Sequence, residues 1–454
     1  MDTINAVSPL DGRYQDKVKE LSPFVSEAAL IRARFKVEIE YLVTLSKFGV
    51  IKKLSPVEIK KLKILSLTDK DIKDIKTIED KIHHDVKSVE VKLREMLKGE
   101  GMENLLEMLH FGLTSEDVNN ISYRILLRDA LDKVVLPKLH ELLMEITHQA
   151  REYKDVKMLA RTHGQGAVPT TFGKELAVFA SRINVQMRKL EEIKLTGKMN
   201  GAVGNFNSYY YSYPEVDWLK ISKYFISNFG FEYNLTTTQI NHFDDIVETF
   251  QNIMRINLII LGLNQDLWRY ISDDWISQKV DKNQVGSSTM AQKVNPIDFE
   301  NSEGNIQIAN GIIEAMCRSL MVSRLQRDLS NSTIIRNLSS VMAYVLLAYK
   351  STLSGLRKIY PNKEKMLEIL NSNWAILSEA LQTELRKNGV SGSYNKIKDL
   401  SIGKKFTKQE WLELIRKLDL PKELEKKLLT LTPENYIGIA SKISDITIDS
   451  IKGV

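Results

Sequence analysis

The sequence contains almost no cysteine: its 454 residues include a single one, Cys317. A lone cysteine cannot form a disulfide within the chain, and it excludes a metal site built from several cysteines. Free thiols are typical of proteins that work in a reducing compartment. The cysteine usage therefore fits a protein of such a compartment.

The sequence also lacks long apolar runs. No apolar stretch reaches the length of a transmembrane helix, and the run at 256–263 has polar residues on both sides. The N-terminus has no basic region followed by an apolar segment, so no signal peptide is predicted. We expect a soluble, cytoplasmic protein with no membrane partner.

Neither sign of charge is in large excess. Lys plus Arg number 64 and Asp plus Glu 58, which gives a formal net charge of +6. This mild excess favours the approach of anionic substrates. It is too small and diffuse to indicate nucleic acid, and no basic run is interleaved with aromatic residues as a single-strand groove requires. We therefore expect no nucleic-acid partner.

The dominant feature that is present is helical periodicity. Apolar residues recur every three or four positions, which predicts long amphipathic helices. One such stripe contains Phe172, Leu176, Phe179, Ile183, Met187 and Leu190. A second contains Ile246, Phe250, Ile253, Ile260, Leu263, Leu267 and Ile271. Alternating strand patterns are scarce, and short candidates such as 201–204 are predicted to be loops.

The periodicity predicts an all-α fold in three parts. Residues 1–110 form an N-terminal helical domain, residues 111–360 an elongated bundle of the longest helices, and residues 361–454 a C-terminal domain of short helices. Several stripes are too apolar for one bundle to bury. This favours burial against other copies of the chain in a symmetric oligomer.

The segment that departs most from this pattern is Gly286-Ser-Ser-Thr-Met-Ala-Gln-Lys-Val-Asn-Pro296. Gly286 allows the backbone to turn. Asn295 is predicted as the N-cap of the next helix and Pro296 as its first residue. Asp298 and Glu300 then fall in the first turn, where carboxylates interact favourably with the helix dipole.

Ser287, Ser288 and Lys293 consequently lie on a loop just before a helix N-terminus, where anions bind readily. Hydroxyls, a fixed cation and free backbone N–H groups could hold a carboxylate and remove a proton beside it. A polar loop between helices explains the same string. Both interpretations stay open on the local sequence.

The segment Lys81-Ile-His-His-Asp85 carries two adjacent histidines, His83 and His84. Adjacent residues of a helix point to different faces, so at most one histidine faces a given site. The position four residues after His84 is Ser88, so the spacing of a metal site is missing. A role at the surface or the edge of the core is the alternative to a binding role.

The segment from His110 to Asp117 combines a histidine, two hydroxyls and two carboxylates. Thr114 or Ser115 can cap a helix whose first turn contains Glu116 and Asp117. The cap explains the hydroxyls completely. Alternatively, cap hydroxyls and free N–H groups hold a substrate carboxylate.

A third polar cluster surrounds His163, in Leu159-Ala-Arg-Thr-His-Gly-Gln165, just before a predicted helix. An imidazole beside hydroxyl and amide groups is a candidate acid or base. A structural histidine with satisfied hydrogen bonds is the alternative.

The fourth cluster runs from Arg324 to Arg336 and contains Arg327 and Ser332. Two guanidinium groups and a serine could clamp a phosphate. A solvated turn with salt bridges is the usual explanation of such a string. All five segments would have to converge in space to form one site.

Together these segments resemble the fumarase/aspartase superfamily, whose members eliminate fumarate from succinyl-type substrates. The stretch 286–296 is similar to the superfamily signature. The similarity is greatest to the adenylosuccinate lyase branch, and it extends from Ser8-Pro-Leu-Asp-Gly-Arg-Tyr14 to Leu431-Thr-Pro-Glu-Asn-Tyr-Ile-Gly438. The Asp-Gly-Arg-Tyr start and the Arg-Asp-Leu-Ser-Asn-Ser-Thr segment distinguish this branch from fumarases, aspartases and argininosuccinate lyases.

The resemblance implies a three-domain, all-α fold whose central helices join those of other subunits in a homotetramer with a twenty-helix core. Each active site is then shared by three subunits. No metal and no organic cofactor is required. The implied substrates are adenylosuccinate, which gives AMP and fumarate, and SAICAR, a succinylated imidazole ribotide, which gives AICAR and fumarate.

The resemblance also implies residue roles. Ser287 matches the general base that takes a proton from the succinyl β-carbon, and His163 matches the general acid that protonates the departing nitrogen. Glu300 matches the carboxylate paired with that histidine. Lys293 and Asn295 match groups that hold the carboxylate on which negative charge develops.

Further residues match substrate-binding positions. Those along the pocket are His84, Asp85, His110, Thr114, Ser115, Gln239 and Ser288. Those at the phosphate and ribose end are Arg13, Tyr14, Arg327, Ser332 and Arg336.

The chain departs from the branch at three positions. Ala291 and Gln292 stand where many relatives have Pro-His, and Gly166 stands where proline is usual. Losing a proline restraint loosens a loop by up to about 1 kcal/mol. None of the three is a proposed acid, base or charge holder, so they bear on loop dynamics rather than on reaction class.

Three other functions compete with this one. An argininosuccinate or other succinyl-amine lyase is disfavoured by the arginines of the phosphate end. A structural protein that has lost activity is disfavoured by the intact set of Ser287, Lys293, Asn295, His163 and Glu300. A nucleic-acid binder is disfavoured by the weak charge, and a gel shift at physiological salt tests it.

Overall fold

The computed structural model of the chain describes residues 3–279, 290, 293–390, 397 and 406–451. The chain is mainly helical in these residues, which confirms the predicted all-α class. From the N-terminus to the first strand the helices are α1 (Gln15–Val18), α2 (Ser22–Val25), α3 (Glu27–Lys47), α4 (Pro56–Ile64), α5 (Asp69–Ile82), α6 (Asp85–Gly99), α7 (Ser115–Ala130) and α8 (Leu136–Glu152).

The later helices include the longest of the chain. They are α9 (Phe172–Glu192), α10 (Asn207–Ser212), α11 (Trp218–Ser227), α12 (Asp244–Ser272), α13 (Ile297–Leu320), α14 (Ser330–Ile335), α15 (Leu338–Lys358), α16 (Lys363–Asn371), α17 (Ser378–Lys387), α18 (Lys408–Lys417), α19 (Lys422–Leu429) and α20 (Ala440–Ile451). The 3₁₀ turns are Thr3–Asn5, Lys19–Leu21, Glu103–Met108 and Trp374–Leu377, and Leu131–Val135 is a π-helical turn.

Short strands form three two-stranded sheets in the described residues. They are β1 (Lys157–Thr162) with β2 (Gln165–Thr171), antiparallel; β3 (Thr196–Gly197) with β4 (Glu232–Tyr233), parallel; and β5 (Ile276–Gln278) with β6 (Ile359–Pro361), antiparallel. The hairpin of β1 and β2 was not predicted from the sequence. Its strands are short, and its second strand leads directly into α9, which begins as expected after the third polar cluster.

The residues of the chain group into two compact units. Unit 1 comprises Met1–Leu139, Arg188–Asn257 and Gly304–Tyr349; unit 2 comprises His140–Met187, Leu258–Glu303 and Lys350–Val454. Each unit therefore draws on separated stretches of sequence. The three-part division at residues 110 and 360 stays a prediction.

Capping residues explain where the early helices of unit 1 begin. Ser55 starts α4, and its backbone N–H donates to the carboxylate of Glu58 at 2.7 Å. Thr68 starts α5 in the same way, with Asp71 as acceptor at 2.9 Å. These reciprocal bonds satisfy N–H groups that have no partner inside the helix.

The cores of the two units are built from the apolar faces of their helices. In unit 1, side chains of α3 to α6 such as Leu42, Leu62 and Leu93 are fully buried together. In unit 2, a C-terminal cluster is centred on Trp411 and Leu381. Each such side chain contributes about 1.5–3 kcal/mol when it is removed from water.

The two apolar stripes found in the sequence lie on α9 and α12 as predicted. Their residues are buried, apart from Phe179 and Ile271, which are half-buried. By length and composition α12 could cross a membrane, so the prediction that no stretch reaches that length is wrong by this measure. Because 61% of its most apolar window is buried inside the protein, α12 has the character of a core helix.

Candidate active site

Unit 1 contains a polar cavity of about 440 Å³, which we call the arginine cavity. Its wall is formed by α3, the junction of α5 and α6, the start of α7, and the segment around α14. Six of the residues predicted to bind substrate line it: His84, Asp85, Ser115, Arg327, Ser332 and Arg336. Three of the predicted segments are therefore brought together within one unit.

The junction of α5 and α6 differs from the prediction of one helix carrying both histidines. His83 adopts the left-handed conformation with φ of 53° and ends α5. His84 is extended and caps α6, its Nδ1 accepting a hydrogen bond from the Lys87 N–H at 3.1 Å. Because the helix is broken here, both imidazoles and Asp85 lie in the cavity wall. Asp85 is the first residue of α6.

Asp85 is held by two arginines. Its Oδ2 accepts from Arg34 at 2.6 Å and lies 3.6 Å from Arg336, while its Oδ1 accepts from the Val86 N–H at 2.9 Å. Burial raises the pKa of Asp85, but the charges of Arg34 and Arg336 and the hydrogen bonds from Val86 and Arg34 together outweigh burial and hold the pKa below its usual value. Asp85 is therefore an anion at neutral pH.

The start of α7 is fixed by a buried carboxylate. Thr114 is the N-cap, as predicted, and its N–H donates to Asp117 at 2.8 Å. Asp117 also accepts from the N–H of Asn200 at 3.0 Å and pairs with Lys198 at 3.0 Å, and both charged side chains are fully buried. These contacts hold Ser115, the first residue of the helix, in the wall of the cavity.

Arg327 connects three elements at the other side of the cavity. It donates to Gln239 Oε1 at 3.0 Å and to Ser332 Oγ at 3.3 Å, and it forms an ion pair with Glu116 of α7 at 3.1 Å. Arg327 is salt-bridged, as one interpretation of this segment expects, and it also lines a cavity, while phosphate binding stays a prediction. Gln239 is thus placed beside Arg327, although it was singled out only through the resemblance.

His110 lies near this region but does not line the cavity. It has φ of 54°, and its Nδ1 is 2.6 Å from Oε1 of Glu38, a fully buried carboxylate of α3. Burial lowers the pKa of His110, but Glu38, with Glu90 and Asp117 further away, outweighs burial and raises it above the ordinary value. Glu38 therefore favours the protonated imidazole.

Arg13 and Tyr14 lie just before α1 and do not line the arginine cavity. Arg13 is exposed and Tyr14 is half-buried, with the ammonium of Lys17 about 6.0 Å from its ring centre. Unit 1 of a single chain therefore does not bring these two residues to the predicted phosphate end. Their role in binding stays a prediction.

In unit 2, His163 occupies the tip of the hairpin of β1 and β2. It is exposed, and both residues of the two-residue turn have positive φ: 53° for His163 and 74° for Gly164. Below the tip, Arg161 pairs with Asp273. Gly166, one of the departures noted above, lies opposite Arg161 in the hairpin, so it belongs to a strand.

Lys293, Asn295 and Glu300 lie at the entry to α13. The helix begins at Ile297, one residue later than predicted, and the carbonyl of Pro296 accepts from the Glu300 N–H at 3.4 Å. Lys293 is exposed. The exposed Glu300 accepts from the indole N–H of Trp268, a residue of α12, at 3.0 Å.

Five residues singled out in the sequence lie outside the described residues: Gly286, Ser287, Ser288, Ala291 and Gln292. Their roles stay predictions. Within the described part of the chain, no group of three or more His, Cys, Asp or Glu side chains is arranged to hold a metal ion. The thiol of Cys317 is half-buried, and burial raises its pKa to about 11.

Sequence reasoning missed five residues of the cavity wall: Arg34, Glu79, Asp80, Asn119 and Tyr123. Arg34 and Glu38 are charged residues four positions apart in the largely apolar helix α3, and both are buried. Charged side chains are almost never fully buried unless they are paired. A charge on an otherwise apolar helix face was therefore the available signal.

The fold is shared with solved structures of enzymes. A fumarate lyase from Mesorhizobium sp. BNC1 superimposes with a TM-score of 0.75 at 17% identity, covering 96% of this chain and 97% of that one. A 3-carboxy-cis,cis-muconate lactonizing enzyme from Pseudomonas putida gives 0.77 at 15% identity, covering 97% and 98%. At such low identity these matches show the fold alone.

Sequence comparison identifies the family of the chain. A family model described as "Lyase" matches residues 12–311, and one described as "Adenylosuccinate lyase C-terminal" matches residues 323–437. The adenylosuccinate lyase of Haemophilus influenzae is 42% identical over 449 residues, 98% of each chain. That of Escherichia coli K12 is 41% identical over 451 residues, 98% of this chain and 99% of the other. The chain is therefore a lyase and belongs to the adenylosuccinate lyase family.

Proposed function

We propose that this protein cleaves adenylosuccinate to AMP and fumarate, and SAICAR to AICAR and fumarate. The observation that carries the proposal is the arginine cavity, in which Arg327 and Arg336 stand beside hydroxyl and carboxamide groups. Guanidinium groups are suited to a phosphate because they are permanently charged and donate two parallel hydrogen bonds. Both substrates carry a ribose phosphate, whereas argininosuccinate carries none.

The reaction we propose is a β-elimination. Ser287 takes the proton from the succinyl β-carbon, and the electrons of that C–H bond form the double bond of fumarate. The C–N bond breaks, its electrons remain on the departing nitrogen, and His163 supplies the proton that nitrogen needs. The departing nitrogen becomes the exocyclic amino group of AMP or the carboxamide nitrogen of AICAR, fumarate leaves as a dicarboxylate, and no redox step is required.

The proton that Ser287 removes is weakly acidic, so its removal requires positively charged or hydrogen-bond-donating groups that stabilise the resulting negative charge. Negative charge builds up on the neighbouring carboxylate, and preorganised donors placed there lower the barrier. Lys293 and Asn295 are the proposed donors, and the same cation favours ionisation of Ser287. Glu300 is proposed to hold the imidazole of His163 and to stabilise its charged form.

We further propose that the site is completed in a homotetramer in the cytoplasm, with each site shared by three subunits and no metal or cofactor. In a single chain, His163 and Lys293 are exposed, and Arg13 lies away from the arginine cavity. Groups contributed by neighbouring subunits are consistent with that placement. Exposed apolar side chains on the long helices, such as Val185 and Leu258, support the assembly.

The test is to incubate the purified protein with adenylosuccinate and to follow AMP and fumarate, with the His163→Ala and Ser287→Ala variants alongside. We expect release by the parent and its loss in both variants. Argininosuccinate serves as the comparison substrate. Cleavage of argininosuccinate instead, or near-normal turnover by Ser287→Ala, would overturn the substrate or the base respectively.

A further inference from the structure

The two arginines on Asp85 are held very differently. Arg34 is 2.6 Å from Asp85 Oδ2, and 2% of its side chain is exposed. Arg336 is 3.6 Å from the same oxygen, and 55% of its side chain is exposed. One cation is thus a buried, close partner, and the other is a loose partner that faces the cavity.

Arg34 is further fixed by α7. Its Nε donates to Asn119 Oδ1 at 2.9 Å, and Asn119 in turn donates to Glu116 Oε1 at 3.1 Å. Glu116 is the carboxylate that pairs with Arg327. A continuous row of hydrogen bonds therefore runs from Asp85 through Arg34 and Asn119 to Glu116, and an ion pair continues it to Arg327.

This arrangement matters because a carboxylate beside an anion site competes with the anion for cations. The attraction between two unit charges weakens with distance and with exposure to water. The close, buried contact with Arg34 satisfies most of the charge of Asp85. Arg336, at the longer distance and in contact with water, is bound weakly and stays available to an incoming anion.

We propose that Arg34 is a positioning residue that neutralises Asp85 and thereby keeps Arg336 free for the phosphate of the substrate. The inference rests on the proposed function for the identity of that anion. Arg34 acts through Asp85 and Arg336, and it has no part in the proton transfers. Without Arg34, the unpaired Asp85 draws Arg336 into a close ion pair and removes it from the phosphate.

The test compares the parent with Arg34→Met by competitive inhibition with two probes, AMP and adenosine. We expect the inhibition constant of AMP to rise about tenfold, as for loss of one hydrogen bond to a charged group, and that of adenosine to stay unchanged. The KM for adenylosuccinate should rise more than kcat falls. Equal weakening of both probes would overturn the proposal, because it would mean that Arg34 acts on the base or ribose end.

A second comparison separates this mechanism from simple damage to the fold. In an Asp85→Asn background the competing carboxylate is gone, so adding Arg34→Met should leave the AMP inhibition constant where Asp85→Asn put it. A further loss of the same size as in the parent would overturn the proposal. Coupling of this kind is what a double-mutant cycle measures.

Two more variants distinguish the loss of the Arg34 charge from a general effect on folding. Arg34→Lys keeps the cation and should recover most of the AMP affinity lost in Arg34→Met; if Arg34→Lys behaves as Arg34→Met does, the charge argument is wrong. Arg32→Met is the matched control on the same helix, since Arg32 is exposed and pairs with Asp69 at 2.9 Å. It should bind AMP as the parent does. A parent that fails to cleave adenylosuccinate but binds AMP would count against the proposed function, and Arg34→Met would still test this inference.

Discussion

The arginine cavity of unit 1 and the catalytic residues predicted in unit 2 differ in how firmly a single chain holds them. Around the cavity, Asp85 and Arg327 are each bound to several partners from other elements. In unit 2, His163 lies exposed at a hairpin tip and Lys293 is exposed before α13. The binding side is built within one unit, whereas the predicted proton-transfer side is displayed at the surface.

Burying the charged groups around the arginine cavity costs free energy, which indicates that they serve a function other than stability. Removing several charges from water is expensive, and an apolar core of the same volume is often as stable. The cluster of Arg34, Asp85, Glu116 and Arg327 is thus better explained by recognition of an anion than by stability. The exposed groups of unit 2 carry no such cost, and we expect them to reach working geometry on assembly.

The largest expected effect is on kcat and concerns the exposed residue His163 of unit 2. His163→Asn should lower kcat by a factor of roughly 100 to 10,000, the range for loss of a general acid, with little change in AMP inhibition. His148→Asn is the control, because His148 is 71% exposed on α8 and has no proposed role. If AMP affinity fell as much as kcat, the division between binding and proton transfer would be wrong. Fumarate release measures the first quantity.

The next effect concerns the buried charges that fix α7. Asp117→Asn leaves Lys198 buried without its counter-ion, and loss of one partner of a buried pair costs about 3–5 kcal/mol. The partly exposed pair of Lys358 with Asp298 in unit 2, at 2.6 Å, is the comparison. Asp298→Asn should cost about 1 kcal/mol or less. Thermal unfolding of both variants checks the order, and equal losses would contradict it.

A smaller effect is expected at Arg327. Arg327→Met removes the contacts to Gln239, Ser332 and Glu116 and one of the cavity cations. We expect KM for adenylosuccinate to rise by a factor of about 10 to 100, since hydrogen bonds to charged groups contribute about 1.5–3 kcal/mol. Arg255→Met, at an exposed position of α12, is the control. A fall in kcat with KM unchanged would contradict the assignment of Arg327 to substrate binding, because it would indicate a role in the proton-transfer step.

The smallest effect is a pH dependence at His110. Because Glu38 raises the pKa of His110, the pair stabilises the fold below the ordinary pKa of histidine and loses this contribution as pH rises through the raised pKa. The Tm of Glu38→Gln should therefore lie furthest below that of the parent near about pH 5.5 and approach it near about pH 8.5. Glu95→Gln, at a carboxylate that is 60% exposed, should show no such convergence.

The sequence predicted those features that are encoded locally. The stripes of α9 and α12, the cap at Thr114 and the polar strings around Asp85 and Arg327 depend on residues close together in the chain. Arg34 and Glu38 were missed because their partners are 51 and 72 residues away. A charge on the apolar face of a helix signals that a partner exists without identifying it.

Local rules also explain the smaller errors. The helix predicted through His83 and His84 is broken because His83 takes a left-handed conformation that few side chains adopt. The start of α13 moved from Pro296 to Ile297, which is within the usual uncertainty of helix ends. The hairpin escaped prediction because its two-residue turn uses histidine where asparagine is common.

That turn has an evolutionary consequence. Two-residue hairpin turns with positive φ at both positions favour Asn-Gly, and here the first position is His163, followed by Gly164. Replacing the histidine by asparagine should therefore raise the melting temperature of the chain while it lowers kcat. With His163 as the proposed general acid, a lineage released from the need for the activity would drift towards that more stable, less active sequence.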